Sequence, residues 1–189
     1  MPENGVENPV TILTQVKLFG AANPHLCNGI YAKEIKSRNM KNIQVGDSIP
    51  SFILEDQNGR KFDTKDYVGK NKLIIYFYPK DESAVCTAEA CAFRDSFAEF
   101  TDEGAVVVGI NSGSIESHYD FAQKNRLPFQ LLSDSGNKVL KQFGIKPWLF
   151  LTGRETFVVD LNGKVAFRYR AFLDGSGHSE KVIEFLKKA

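Results

Sequence analysis

Two cysteines five residues apart, Cys86 and Cys91, lie in the segment PKDESAVCTAEACAFRD that runs from Pro79 to Asp95. An apolar run, Leu73 to Tyr78, stops at Pro79, and a helical pattern follows from about Ala84 to Glu103. Ala90, Phe93, Phe97 and Phe100 recur at spacings of 3, 4 and 3, which marks the inward stripe, and Cys86 falls four residues before Ala90 on the same stripe. Cys86 therefore points inward from the first turn. Unpaired backbone N–H groups and the positive end of the helix dipole favour an anion there, and the thiolate is the nucleophilic form of the residue. The plainer use of such a cysteine is as a small hydrophobe in the core. Cys91 lies about 140° further round the helix, away from the aromatic stripe. It is either an inert surface thiol or a resolving partner for an activated one.

Other side chains within reach complete the possible chemistry. The Ser83 hydroxyl, three residues upstream of Cys86, can approach the sulfur or cap the helix, and the two roles are compatible. Arg154, after Gly153 at the mouth of a strand that starts near Thr156, is the candidate guanidinium to hold a thiolate; its plainer role is a surface ion pair with Glu155. Arg168 and Arg170, two apart on a strand, read as a solvated face. The C-x4-C spacing has no second pair, and His25, His118 and His178 are scattered without ligand spacing, so no metal is expected and no histidine is needed as a base. The stretch GINSGS, Gly109 to Ser114, lacks both the G-x-G-x-x-G pattern and a Walker lysine, and reads as a strand-to-helix turn capped by Ser114.

Positioning these residues requires an alternating scaffold. Ser51 to Leu54 and Arg60 to Asp63 flank Asp56-Gln57-Asn58-Gly59 and form an N-terminal β-hairpin. Leu73 to Tyr78 is a strand buried on both faces. The helix with the cysteines is followed by a strand at Ala105 to Ile110, a helix from about Ser114 to Asn125, a strand at Phe129 to Leu132 and a short helix ending at Gly144. Past Pro147 and Trp148, Thr156 to Asp160 and Lys164 to Tyr169 make a second hairpin around Leu161-Asn162-Gly163, and a helix near Ser179 to Lys188 closes the chain. The order gives an α/β domain with a central mixed β-sheet flanked by helices over residues 43–189. Residues 1–42 differ in texture, with weak periodicity, scattered Asn and Pro and a solitary Cys27, and read as an N-terminal extension of poor order.

Composition narrows the class. The 189 residues are 42% apolar, enough for a core, and 24 basic against 23 acidic side chains give a net charge of +1, which gathers neither nucleic acid nor an anionic membrane. The longest apolar runs are six residues, far short of the roughly 20 that span a bilayer. Three cysteines and no signal-peptide core point to a reducing, cytoplasmic setting. Residues 1–42 are not rich in arginine and carry Glu3 and Glu7, so organellar targeting by this segment is the alternative.

The sequence resembles the peroxiredoxins, and within them the bacterioferritin comigratory protein or peroxiredoxin Q group. The likeness runs from about Val45 to the C-terminus, through VGDSIPSF, YFYPKD, CTAEACAFRD, RLPFQLLSD at Arg126 to Asp134 and GRETFVVD at Gly153 to Asp160. The family pattern is a proline, a threonine at +4 and the peroxidatic cysteine at +7. Here those positions are Pro79, Ser83 and Cys86, with Cys91 in the resolving place and Arg154 in that of the catalytic arginine. The resemblance implies a thioredoxin-like fold, reduction of hydrogen peroxide and organic hydroperoxides without a cofactor, an intrachain Cys86–Cys91 disulfide, and recycling by thioredoxin or a similar dithiol. An intrachain resolving cysteine also removes the chemical need for a dimer, so a monomer is expected. Two positions depart from the pattern: the threonine is Ser83, which lacks the methyl that restricts its rotamers, and the usual Pro-Gly before the cysteine is Ala84-Val85. The competing functions are a redox sensor and a thiol-disulfide oxidoreductase, although the C-x-x-C of the latter is absent.

Overall fold

The computed structural model describes residues 42–146 and 153–188, all within a compact unit spanning Asn39–Ala189. The expectations for residues 1–41, Cys27 among them, and for the connection through Pro147 and Trp148 lie outside the described residues. Seven strands form one sheet: β1 (Ile53–Asp56), β2 (Lys61–Asp63), β3 (Lys72–Phe77), β4 (Ala105–Asn111), β5 (Gln130–Ser133), β6 (Glu155–Val159) and β7 (Val165–Tyr169). Their spatial order is β2-β1-β5-β4-β3-β6-β7. β3, β4 and β5 run parallel, and the two hairpins add antiparallel strands at either side. Among the described residues five α-helices accompany the sheet: α1 (Ala84–Asp95), α2 (Phe97–Asp102), α3 (Ile115–Asn125), α4 (Lys138–Gln142) and α5 (Ser176–Leu186).

The alternation along β3 divides the core. Leu73, Ile75 and Phe77 join Phe52, Phe143 and Phe157 on one face, while Ile74, Tyr76 and Tyr78 join Cys86, Phe93, Phe121 and Val182 on the other. Both faces are therefore dry, and β3 reads as a continuous apolar run because neither side meets water. Tyr76 lies across from Gly109 on β4, where a Cβ would come within 2.6 Å of the tyrosine ring. The first hairpin closes as the Asn58-Gly59 pair predicts, with Gly59 at φ 72 and its N–H donating to Asp56 O at 2.9 Å.

One expected element is divided. The pattern from Ala84 to Glu103 forms two helices that meet at Ser96, whose φ and ψ of −97° and 7° leave the helical region. The Ser179 hydroxyl, arriving from α5, lies 3.1 Å from Ala92 O and 3.2 Å from Ser96 Oγ. A hydroxyl set against a helical carbonyl is a recognised source of a bend. The closing helix also begins three residues earlier than its apolar pattern indicates, at Ser176. Among the described residues no helix is long and apolar enough to cross a membrane.

Candidate active site

Antiparallel pairing of β3 with β6 sets Phe77 opposite Glu155, so the end of one strand and the start of the other share an edge of the sheet. Past that end of β3, the chain turns through Pro79 and Asp81 to Ser83, which stands extended at φ −75° and ψ 143° ahead of α1. The Ser83 hydroxyl accepts from Cys86 N–H at 3.4 Å and lies 3.5 Å from Lys80 O. It takes the capping position of the two considered for it. Cys86 is 1% exposed and faces the sheet, as its place on the apolar stripe requires.

Arg154, immediately ahead of β6, reaches the same point. Its guanidinium is 2% exposed and held on three sides. Nε donates to Phe172 O at 3.1 Å, Nη1 to Glu89 Oε2, and Nη2 to Cys86 Sγ at 3.0 Å. Three directed contacts leave the planar fork one orientation, which aims a charged donor at the sulfur. The expected alternative, an ion pair of Arg154 with Glu155, is not formed: Glu155 is buried and pairs with Arg168. Arg168 thus departs from its expected solvated face; its guanidinium carbon also stands 6.0 Å from the centre of the Phe157 ring.

Glu89 and His178 belong to the site although sequence reasoning passed over them. Glu89, fully buried on α1 three residues after Cys86, turns toward Arg154. Burial pushes its carboxyl up to about 8, with the charge and hydrogen bond of Arg154 pulling the other way. Near neutral pH the carboxyl is therefore mostly protonated, and its carbonyl oxygen still accepts from Arg154. A neutral Glu89 does not cancel the guanidinium, whose Nη2 donor is directed at the Cys86 sulfur. His178 Nδ1 lies 3.5 Å from Glu89 Oε1, but its hydrogen bonds go elsewhere. Ala171 O, 2.8 Å from Nε2, can only accept, so Nε2 carries the proton and Nδ1 accepts from Thr156 Oγ1 at 2.7 Å. Burial drives this imidazole down to about 4, so it stands neutral beside the carboxyl. A signal for Glu89 was present in the sequence: an acidic residue three places along from Cys86 shares the stripe that faces the core.

Cys91 sits half-buried on the far side of α1, with Sγ 3.9 Å from Asn125 Oδ1 at the end of α3. Both cysteines are free and lie on one unbroken helix, facing different surroundings. The first turn of α1 is also backed by α5: a Cβ at Gly175 would stand 2.3 Å from Val85 O, so only glycine permits this approach. Among the described residues no group of three or more His, Cys, Asp or Glu is placed to hold a metal ion. The structure thus brings Ser83, Cys86 and Arg154 together behind Pro79, and keeps Cys91 apart.

The chain has well-matched relatives. Residues 45–168 match the AhpC/TSA family. The chloroplastic peroxiredoxin Q of Sedum lineare is 44% identical over 162 residues, which cover 85% of this chain and 82% of that protein. The chloroplastic peroxiredoxin Q of Arabidopsis thaliana is 40% identical over 183 residues, 93% and 83% of the two chains. Among solved structures, the peroxidoxin BcpB from Mycobacterium tuberculosis superposes with a TM-score of 0.72 at 32% identity, covering 77% of this chain and 97% of that one. A cysteine-to-serine mutant of Xylella fastidiosa PrxQ follows at 0.71 and 27% identity, with 77% and 96% covered. The mixed sheet with its flanking helices is accordingly the thioredoxin-like fold of peroxiredoxins. By sequence match, fold and relatives, the chain belongs to the AhpC/TSA family, within the peroxiredoxin Q and bacterioferritin comigratory protein group.

Proposed function

We propose that this thiol peroxidase reduces hydrogen peroxide and organic hydroperoxides with Cys86 as the attacking thiol and Cys91 as the resolving one. The observation that carries the reading is the buried Arg154 Nη2 donor 3.0 Å from Cys86 Sγ, at the N-terminus of a helix capped by Ser83. The Cys86 thiolate attacks the terminal peroxide oxygen. The S–O bond forms as the O–O bond breaks, and the departing alkoxide or hydroxide takes up a proton to leave as alcohol or water. Arg154 is positioned to offset the negative charge as it moves from sulfur to the departing oxygen, and the helix N–H groups add to the same effect. Ser83 supports the reaction by fixing the first turn, and Pro79 by ending β3 ahead of it.

The sulfenic acid on Cys86 then condenses with the Cys91 thiolate: the S–S bond forms and hydroxide leaves, protonated to water. An external dithiol such as thioredoxin reduces the disulfide by exchange. The chemistry uses only the protein's own thiols and runs within a single chain, so a monomer suffices. It is assigned to residues 43–189. Several relatives are named as chloroplastic, which favours the organellar setting over the cytoplasmic one for this chain.

The test is peroxide consumption coupled to thioredoxin, thioredoxin reductase and NADPH. Cys86→Ser abolishes turnover, whereas Cys91→Ser completes one turnover and stops at the sulfenic acid or a mixed disulfide. Equal steady-state activity in Cys86→Ser and wild type refutes the reading. One oxidation per chain without turnover transfers it to the redox-sensor function.

A further inference from the structure

Asp81 lies in the loop between β3 and α1, five residues ahead of Cys86, and is only 4% exposed. Four side chains donate to its carboxylate. Tyr78 Oη at 2.8 Å and Asn111 Nδ2 at 3.0 Å reach Oδ1; Ser117 Oγ at 2.6 Å and His118 Nδ1 at 2.9 Å reach Oδ2. Burial pushes this carboxyl up, and the hydrogen bonds from His118, Ser117 and Tyr78 outweigh it and hold it below its usual value. Because a carboxylate can only accept, His118 keeps its proton on Nδ1. Its Nε2 is buried with no hydrogen-bond partner, so the ring's one directed contact is with Asp81. Gly113 makes room for the pair: a Cβ there would meet His118 Cε1 at 2.9 Å and Asp81 Oδ2 at 3.1 Å.

What this cluster fixes is the path into α1. The next residue, Glu82, has φ 63°, a left-handed conformation that non-glycine side chains seldom adopt and that persists where the surroundings impose it. Ser83 caps the helix directly after this corner. The four donors to Asp81 sit just past β3, on β4 and in the first turn of α3; none is on α1. Unwinding of α1 therefore breaks none of the four bonds. The far end of α1 is held by the same neighbouring helix, where Arg94 Nη1 donates to Asn125 O at 2.8 Å. The cysteine-bearing segment thus lies between two fixed ends, and a loop with fixed ends closes at a smaller entropic cost than a free one.

We propose that Asp81 is a positioning residue for the peroxidase reaction: locked onto His118, Ser117, Asn111 and Tyr78, it sets where α1 begins and hence where Cys86 meets Arg154. It stays locked while α1 unwinds, so that the sulfur returns to the same place after each cycle. The proposal rests on the reading of Cys86 as the attacking thiol.

The test follows the two chemical steps separately in single-turnover experiments on the full chain. In Asp81→Ala, oxidation of Cys86 by hydrogen peroxide slows at least tenfold, while the later formation of the disulfide changes less than threefold. Asp81→Asn, which keeps the volume and part of the hydrogen bonding, recovers most of the oxidation rate, and Ser117→Ala loses two- to fivefold. Should Asp81→Ala fail to fold, Ser117→Ala carries the same comparison. The NMR signal of the His118 Nδ1–H, which reports its bond to Asp81, keeps its position in the thiol and disulfide forms of the wild-type protein. Oxidation within twofold of wild type in Asp81→Ala, or in Ser117→Ala where Asp81→Ala does not fold, equal losses in both steps, or loss of the His118 Nδ1–H signal on disulfide formation overturns the proposal. If the wild-type protein consumes no peroxide, it is the peroxidase reading that fails. Exchange of the Cys86 and Thr87 amides of the reduced protein, which donate to Ser83, then still decides the positioning role: it rises in Asp81→Ala if Asp81 holds the loop, and is unchanged if it does not.

Discussion

Replacing Arg154 by methionine removes the guanidinium and keeps much of its volume. Nη2 stands 3.0 Å from Cys86 Sγ, which puts the centres of charge about 4 Å apart; at an effective dielectric of about 20 two unit charges at that distance interact by about 4 kcal/mol. Loss of one directed donor to a developing anion costs about 3–4 kcal/mol in characterised enzymes. The two figures agree on a fall of about 10²- to 10³-fold in kcat/KM. The structural cost is smaller than for most buried ion pairs, where the stranded partner brings about 3–5 kcal/mol. Burial already raises the Glu89 carboxyl to about 8, against the pull of Arg154, so without the arginine it rises further and stays neutral at pH 7. What remains is the lost hydrogen bonding, including that to Phe172 O, about 1–2 kcal/mol. The penalty grows with pH. A carboxyl raised in the folded state contributes fully below its unfolded value of about 4.5 and loses that contribution as pH rises through the folded value. That loss is complete just above 8 in the wild type and continues upward in Arg154→Met, so the stability gap widens above about pH 8. Stopped-flow oxidation of the reduced protein and urea unfolding at several pH values measure the two effects. Activity within twofold of wild type, or a stability gap that is flat from pH 6 to 10, refutes the reasoning.

Two further outcomes follow from the same geometry. Residues five apart on an intact helix have Cα atoms about 8.6 Å apart, beyond the roughly 4.4–6.8 Å of a disulfide, so a Cys86–Cys91 bond requires the first turns of α1 to unwind. Amide exchange at residues 84–92 should accelerate about a hundredfold or more in the disulfide form while Phe97 to Phe100 change less; unchanged protection would exclude the mechanism. A chain beginning at Lys41 should unfold cooperatively and keep wild-type turnover, because the described core begins at Ile43. Loss of cooperativity in chemical denaturation would place part of the first 40 residues in the core.

Local pattern determined much of this molecule in advance. The run Leu73 to Tyr78 could only be a strand dry on both faces, and Cys86, in register with Ala90 and Phe93, had to face the core. The break at Ser96 was not legible, and the hydroxyl that meets Ala92 O and Ser96 there belongs to Ser179, more than 80 residues away in sequence. The partners of Arg154 were hidden for a similar reason. Neighbours in sequence offered Glu155, but that carboxyl pairs with Arg168, and the carboxyl that meets Arg154 is Glu89, 65 residues away. Buried polar residues such as Asp81 and His178 run against the general rule that charged side chains stay in water. Composition assigns them to the surface, and only assembled neighbours reveal otherwise.

The pairing of β3 with β6 gives the protein's synthesis a fixed order of events. Cys86 leaves the ribosome 68 residues before Arg154, several seconds earlier at the usual rate of about 5–20 residues per second. During that interval β3, β4 and β5 can assemble in parallel, but the flank of β3 that β6 will occupy stays open. On the proposed reading, the nascent thiol then lacks the guanidinium that completes its site. The contact between Arg154 and Cys86 forms only when the last hairpin docks against the middle of the sheet, so on the proposed reading full reactivity waits until the fold that can make use of it is complete.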